Sequence, residues 1–334
     1  YSEDSSEVTD EKIIAVGGVI KDYAEELFGE KVYITLGDVI LDGSTLIRTL
    51  GDEEDDPEVN SIKSEQWGSL TVIASGNFEA KGAIQVPGNI TIDVLEDVKG
   101  YSSSSGGTEN SVSAVRDISI RGKDVTGSFE SSRKLDVTAF GTVSAYLSGS
   151  KSATVTTHGK IVGSTIKSSG HAAAHAYNGI SNTLVTGKES ATATSQGDFS
   201  GTVFSENGSV TVQAWGKVRG QITGKTFAQV RSVSSDVSAT IVSLDGDASV
   251  TAAGNFSGSG GVTAAGSVGV EVWGDLLASV TAGSNSLSDP PSPTGTYPEA
   301  LPGVQLDVHG ALNAPVRSSG NISLTVFGGT DSSK

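Results

Sequence analysis

The side chains most able to do chemistry in this chain fall at a regular spacing. Phe140, His158, Tyr177, Gln196, Trp215, Ser234, Ala253, Trp273, His309 and Phe327 each stand immediately before a recurring corner residue. The ring-bearing members, Phe140, His158, Tyr177, Trp215, Trp273, His309 and Phe327, form a candidate contact column. Rings displayed outward suit two kinds of partner: sugars stacked on their faces, or neighbouring fibres joined laterally. The competing use is structural, with the rings shielding the corners and stacking on one another. Gln196, Ser234 and Ala253 interrupt the series and argue against an extended platform.

Metal and catalytic chemistry find less support. His158, His171 and His175 fall on adjacent repeats, but zinc wants three or four ligands in a tetrahedron. No Cys or carboxylate completes a set at a recognisable spacing, so solvated surface histidines are the expectation. Asp52–Asp56 (DEEDD) offers the oxygen ligands that calcium takes. It lacks the alternating spacing and the glycine of a calcium loop, and a solvated acidic loop is the stronger reading. No metal or cofactor is expected.

Ser is abundant, yet no G-x-S-x-G elbow occurs. Sugar chemistry needs two acids about 5–9 Å apart in a cleft, and Asp136, Glu189, Glu271 and Asp307 lie scattered along the chain. The expectation is therefore not an enzyme, with a β-helix polysaccharide lyase or hydrolase as the alternative. Asp198, Lys217 and Asp236 follow three consecutive corners and predict a ladder of alternating charge that holds register. The sequons at Asn89, Asn207, Asn255 and Asn321 carry little weight, because Asn and Ser are common at turns.

The totals narrow the class. A chain of 334 residues would ordinarily form two or three domains, but a repeat lets one solenoid absorb the length. With 43 glycines and 6% aromatic residues, a wide core of large side chains is excluded. Cysteine is absent, so no disulfide framework exists. Methionine is absent even at position 1, and the chain reads as a processed product or an excised fragment without a leader. No apolar run approaches the ~18 residues that span a bilayer. A net charge of −17 argues against nucleic acid and fits a soluble secreted or cell-surface protein.

The elements that must position these residues are short strands. Corners recur at Gly141, Gly159, Asn178, Gly197, Gly216, Ser235, Gly254 and Gly274, with gaps of 18 to 20 residues. Earlier corners are placed at Gly18, Asp38, Gly76, Glu96 and Gly122, and later ones at Gly310 and Gly328. Six, four and two residues before a corner the chain is small or apolar, as in Leu135, Val137 and Ala139, or Val210, Val212 and Ala214. The residues between are Thr-rich, as in Thr192 and Thr194. Period two with one apolar face predicts a half-buried strand. A second apolar position follows each corner by two, from Val143 through Phe199 to Leu312, and glycines at 163, 201, 220 and 258 predict further turns.

One rung cannot bury its own inner row; stacking the next about 4.8 Å above does so and pairs the main chains. The fold class predicted is an all-β, right-handed parallel β-helix with rungs of about 19 residues. It occupies residues 12–329, between a polar lead-in at 1–11 and a tail at 330–334. Insertions interrupt it at 51–66, 102–110 and 284–303, the last holding five of the eight prolines. Lys21–Phe28 (KDYAEELF) carries weak helical character and is read as a loop helix or a cap.

The rung form V-x-V-x-[AV]-x-G, seen in Val210–Gly216 and Val268–Gly274, resembles the β-helices of large secreted bacterial adhesins of the filamentous-haemagglutinin type. The resemblance runs from about Lys12 to Gly328 and implies surface display, adhesion or fibre building. It transfers no functional residue. Partners expected are further copies of the chain, head to tail or laterally, or surface glycans. The last rung is followed by no amphipathic cap, so its edge is expected to meet more of the same chain or another copy.

Overall fold

The structure, a computed structural model, describes residues 11–15, 20–23, 26–28, 30–42, 45–48, 68–102, 111–283 and 301–328. The chain is an all-β parallel β-solenoid of about 12 turns, with rungs of about 19 residues. No helix occurs among the described residues. Two compact units divide it, Tyr1–Gly159 and Lys160–Lys334.

In the second unit the main sheet runs from His171–Ala176 through Ser190–Ser195, Ser209–Ala214, Phe227–Ser232, Asp247–Ala252, Val268–Val272 and Val304–Val308 to Ile322–Val326. Every pairing is parallel and in register: Ala172 faces Ala191, Ala191 faces Val210, and Val210 faces Ala228. The inner row is Ala174, Ala193, Val212, Val230 and Val250, all buried. On the other side of the corner, Ile161, Ile180, Phe199, Val218, Val237, Phe256, Leu276 and Leu312 pair in one unbroken apolar ladder. A further buried ladder, not anticipated from the repeat, runs Ile166, Val185, Val203, Ile222, Ile241, Val262, Val280. These rows are the core. Each fully buried Val, Ile or Phe contributes about 1.5–3 kcal/mol, and no single rung could collect it alone.

The first unit repeats the plan. Its main sheet contains Glu11–Ala15, Glu30–Thr35, Ser69–Ala74, Ile90–Val94, Ile118–Gly122, Lys134–Ala139 and Ser152–Thr157. Val137 faces Val155, and both are buried. Val39, Phe78, Val98, Val125 and Val143 form the ladder beyond the corner.

Four local expectations change. The described residues of segment 21–28 are not helical: Ile20–Tyr23 and Glu26–Phe28 are strands paired with Val39–Asp42 and Thr45–Arg48. Pairing with a neighbouring rung outweighs a weak local preference. The corner placed at Asp38 lies at Gly37, so Tyr33 faces Val72 in the core and Leu36 is exposed. A slip of one residue reverses every side chain of a strand. Gly122 is not a corner but the last inner residue of its strand, facing Ala139, and the turn falls on Lys123. Gly201 and Gly220 do not end strands. They lie inside Phe199–Ser205 and Val218–Gly224, where a Cβ would strike the main chain of the preceding rung.

Candidate functional site

At many corners, though not at Gly141, Gly159, Asn178, Gly216 or Gly310, the corner residue is followed by an Asp or Asn. Asp38, Asn77, Asp124, Asp198, Asp236, Asn255 and Asp275 share one role: the Oδ1 of each accepts a hydrogen bond from the equivalent main-chain N–H one rung on. Asn77 donates to Asp38 at 2.7 Å, Asp97 to Asn77 at 3.1 Å and Thr142 to Asp124. In the second unit Lys217 donates to Asp198 at 2.8 Å, Asn255 to Asp236 at 2.9 Å, Asp275 to Asn255 at 2.7 Å and Ala311 to Asp275 at 2.8 Å. Where the next corner is a glycine, the oxygen occupies the place a Cβ would take on it: Asp198 at Gly216, Asp236 at Gly254, Asp275 at Gly310; at Glu96, above Asn77, a Cβ is accommodated. The corner glycine and the acid beneath it are one device. Sequence reasoning registered the glycines and read Asp198 and Asp236 as members of a charge ladder, but missed that such side chains accept from the main chain of the next rung.

The charge ladder is therefore only half electrostatic. Lys217 Nζ lies 3.5 Å from Asp236 Oδ2, while Asp198 serves the Lys217 main chain. Asn89 and Asn255, two of the sequon residues, act as ladder acceptors as well. Buried Ser and Thr close the corners from inside. Thr157, Ser195 and Ser232 stand two residues before or near a corner and accept from the N–H of Gly159, Gly197 and Ser235 at 2.9, 3.0 and 3.2 Å.

The contact column divides into two kinds of member. In the first unit Phe140 and His158 stack at 5.9 Å between ring centroids, with Arg121 Cζ 5.5 Å from the Phe140 ring. In the second unit Trp273, His309 and Phe327 form a continuous stack, at 4.4 Å and 4.7 Å. Their faces are turned on one another along the ladder. Tyr177 and Trp215 are different: they are about as exposed as Trp273, but they have no ring neighbour among the described residues, and Gln196 stands on the rung between them.

The histidines are engaged elsewhere. His171 Nδ1 lies 2.8 Å from Ser190 Oγ and its Nε2 3.1 Å from Glu189 Oε2. His175 is half-buried, and loss of hydration holds its pKa below the ordinary 6.5. Among the described residues no three His, Asp or Glu side chains converge as metal ligands. The acidic loop Asp52–Asp56 lies outside the described residues.

Two of the acids read as scattered are neighbours in space. Glu271 and Asp307 face each other across adjacent strands, brought together because residues 284–303 are inserted between their rungs. Asp307 Oδ1 also lies 3.7 Å from His309 Nε2. The register could not be read without knowing where the insertion leaves and rejoins the stack.

Comparison of the chain with protein-family models, with curated proteins and with solved structures finds no match.

Proposed function

We propose that this chain is a non-enzymatic structural or adhesive module of a secreted or cell-surface protein, akin to the right-handed β-helices of filamentous-haemagglutinin-type adhesins. Its work is mechanical: main-chain ladders hold the rungs, and outward rings and further copies make the contacts. The observation that carries this reading is the parallel stack itself, with rung after rung paired through the main chain; the last described rung bears only on assembly. Strand Ile322–Val326 pairs only with Val304–Val308 among the described residues. The inner-row residues Ile322 and Leu324 are 49% and 48% exposed there, where their counterparts Val304 and Leu306 are buried. An apolar row with open main-chain groups is a template for another rung. A further rung of the same polypeptide, or the rung of a second copy, matches it in period and direction; the second case is a head-to-tail contact that propagates into a filament.

Sedimentation across a wide concentration range, with negative-stain imaging, tests this. Mass should grow with concentration, and Ile322→Lys with Leu324→Lys should abolish the growth. A monomer at every concentration, or assembly indifferent to both changes, would overturn head-to-tail polymerisation. One observation favours a second reading, a carbohydrate-active enzyme: the facing pair Glu271 and Asp307. A polysaccharide depolymerisation screen decides it, since turnover lost in Glu271→Gln and Asp307→Asn would rank the enzyme first.

A further inference from the structure

A groove of about 280 Å³ lies on the second unit, lined by Lys160, Asn178, Ile180, Asp198, Lys217 and Arg219. Three cations on one groove are conspicuous in a chain of net charge −17. Lys217 is held by Asp236, but Lys160 and Arg219 have no ion-pair partner among the described residues. The backbone departs from the repeat at the same place. Strand Ile180–Gly187 slips register against Phe199–Ser205 between Ile180 and Thr183. Asn182 is the only non-glycine residue with positive φ among the described residues, at 49°. Bulges and strained residues of this kind re-aim side chains, and they persist where the surroundings over-determine them. The groove thus lies at a local departure from the repeat.

The two ring-bearing column members without a stacking partner lie beside this groove in sequence, although neither lines it. Tyr177 directly precedes Asn178, and Trp215 stands two residues before Lys217. Elsewhere in the column each ring stacks on at least one other, although Trp273 and Phe327 stay 59% and 64% exposed. Exposed rings with open faces suit the apolar face of a sugar ring, and unpaired Lys and Arg suit a carboxylate. From these observations we propose that the groove binds an acidic glycan: separate carboxylated sugars of one chain reach Lys160 and Arg219, three rungs apart, and the glycan extends round the corner toward Trp215 and Tyr177. The proposal rests on the adhesive reading above and supplies its ligand class.

The test uses the full chain and calorimetry at low ionic strength with three probes: a short oligogalacturonate, the matching neutral galactan oligosaccharide, and an oligoglutamate of equal charge. Oligogalacturonate should bind, and the neutral sugar should bind at least about tenfold more weakly, the equivalent of 1.4 kcal/mol. The exposed double variant Lys160→Gln/Arg219→Gln should lose a similar factor, and Trp215→Ala should weaken the sugar without restoring oligoglutamate. Unchanged affinity in the double variant would overturn the site. Equal binding of oligoglutamate would overturn the sugar class and leave a patch for acidic peptides. Absence of binding alongside concentration-dependent assembly would sink this site and leave the scaffold reading standing. Cleavage of bound oligogalacturonate would support the site and overturn the non-catalytic reading instead.

Discussion

The corner device makes a sharp prediction at Asp236 and Gly254. Asp236 Oδ1 accepts from the Asn255 N–H at 2.9 Å, in a partly buried turn. Asp236→Ala leaves that donor unpaired, and a hydrogen bond to a charged acceptor is worth about 1.5–3 kcal/mol. Partial exposure and the small side chain place the expected loss near the lower bound, about 1.5 kcal/mol. Gly254→Ala in the native background drives a Cβ into the Asp236 carboxylate. With the carboxylate gone, the nearest remaining atoms are Ser235 C at 3.0 Å and Asp236 N at 3.1 Å, a contact the turn can relieve by a small shift. The two substitutions should therefore be non-additive, with Gly254→Ala costing at least about 1 kcal/mol less in the Asp236→Ala background. Asp236→Asn should keep the bond, because Asn255 performs the same service at 2.7 Å for Asp275. Repeat arrays can unfold piecemeal, so the assay is amide hydrogen exchange read at Asn255 and its neighbours rather than one global midpoint. About a tenfold rise in exchange at Asn255 in Asp236→Ala, and little in Asp236→Asn, is expected. Additive effects, or an Asn255 amide indifferent to Asp236, would refute the coupling of glycine and acid.

Further outcomes follow from the same geometry. His175 is held neutral by burial, with its pKa below 6.5. The unfolded chain then binds the extra proton, so this residue removes stability as pH falls through about 6.5, until the folded form protonates too. His175→Gln should flatten that part of an acid-denaturation curve; an unchanged slope between pH 7 and 5 would reject the account. The stack of Trp273, His309 and Phe327 predicts that His309→Ala loses two ring contacts, each worth about 0.5–1.5 kcal/mol, with the lower value fitting exposed rings. Faster exchange of the Phe327 amide, which donates to Val308 at 2.9 Å, is the measurement, and unaltered protection there would show the stack to be incidental.

The legible features of the chain were those that one rung repeats. Alternation at Val210, Val212 and Ala214 announces a strand with one buried face, and the return of the same pattern 18 or 19 residues later announces the stack. The outward parity of Trp215 and Trp273 follows from the same count. Where the spacing departed from the repeat, parity misled: Gly122 is an inner residue and Asp38 a ladder acid, each one position from where the glycine spacing put it.

The period, the apolar rows and the absence of disulfides are properties of the amino-acid order, because each is set by residues close together in the chain. Contacts made between rungs are not. Whether a ring stacks on its neighbour or stays free, as with His309 against Trp215, depends on what the adjacent rung presents. The facing of Glu271 and Asp307 depends on an insertion that adds length without adding a rung. The groove at Lys160, Lys217 and Arg219 lies where the register slips beside Ser181, a feature no single rung announces. In a stacked chain the sequence determines what each rung is, and only the tertiary register decides which side chains of different rungs meet.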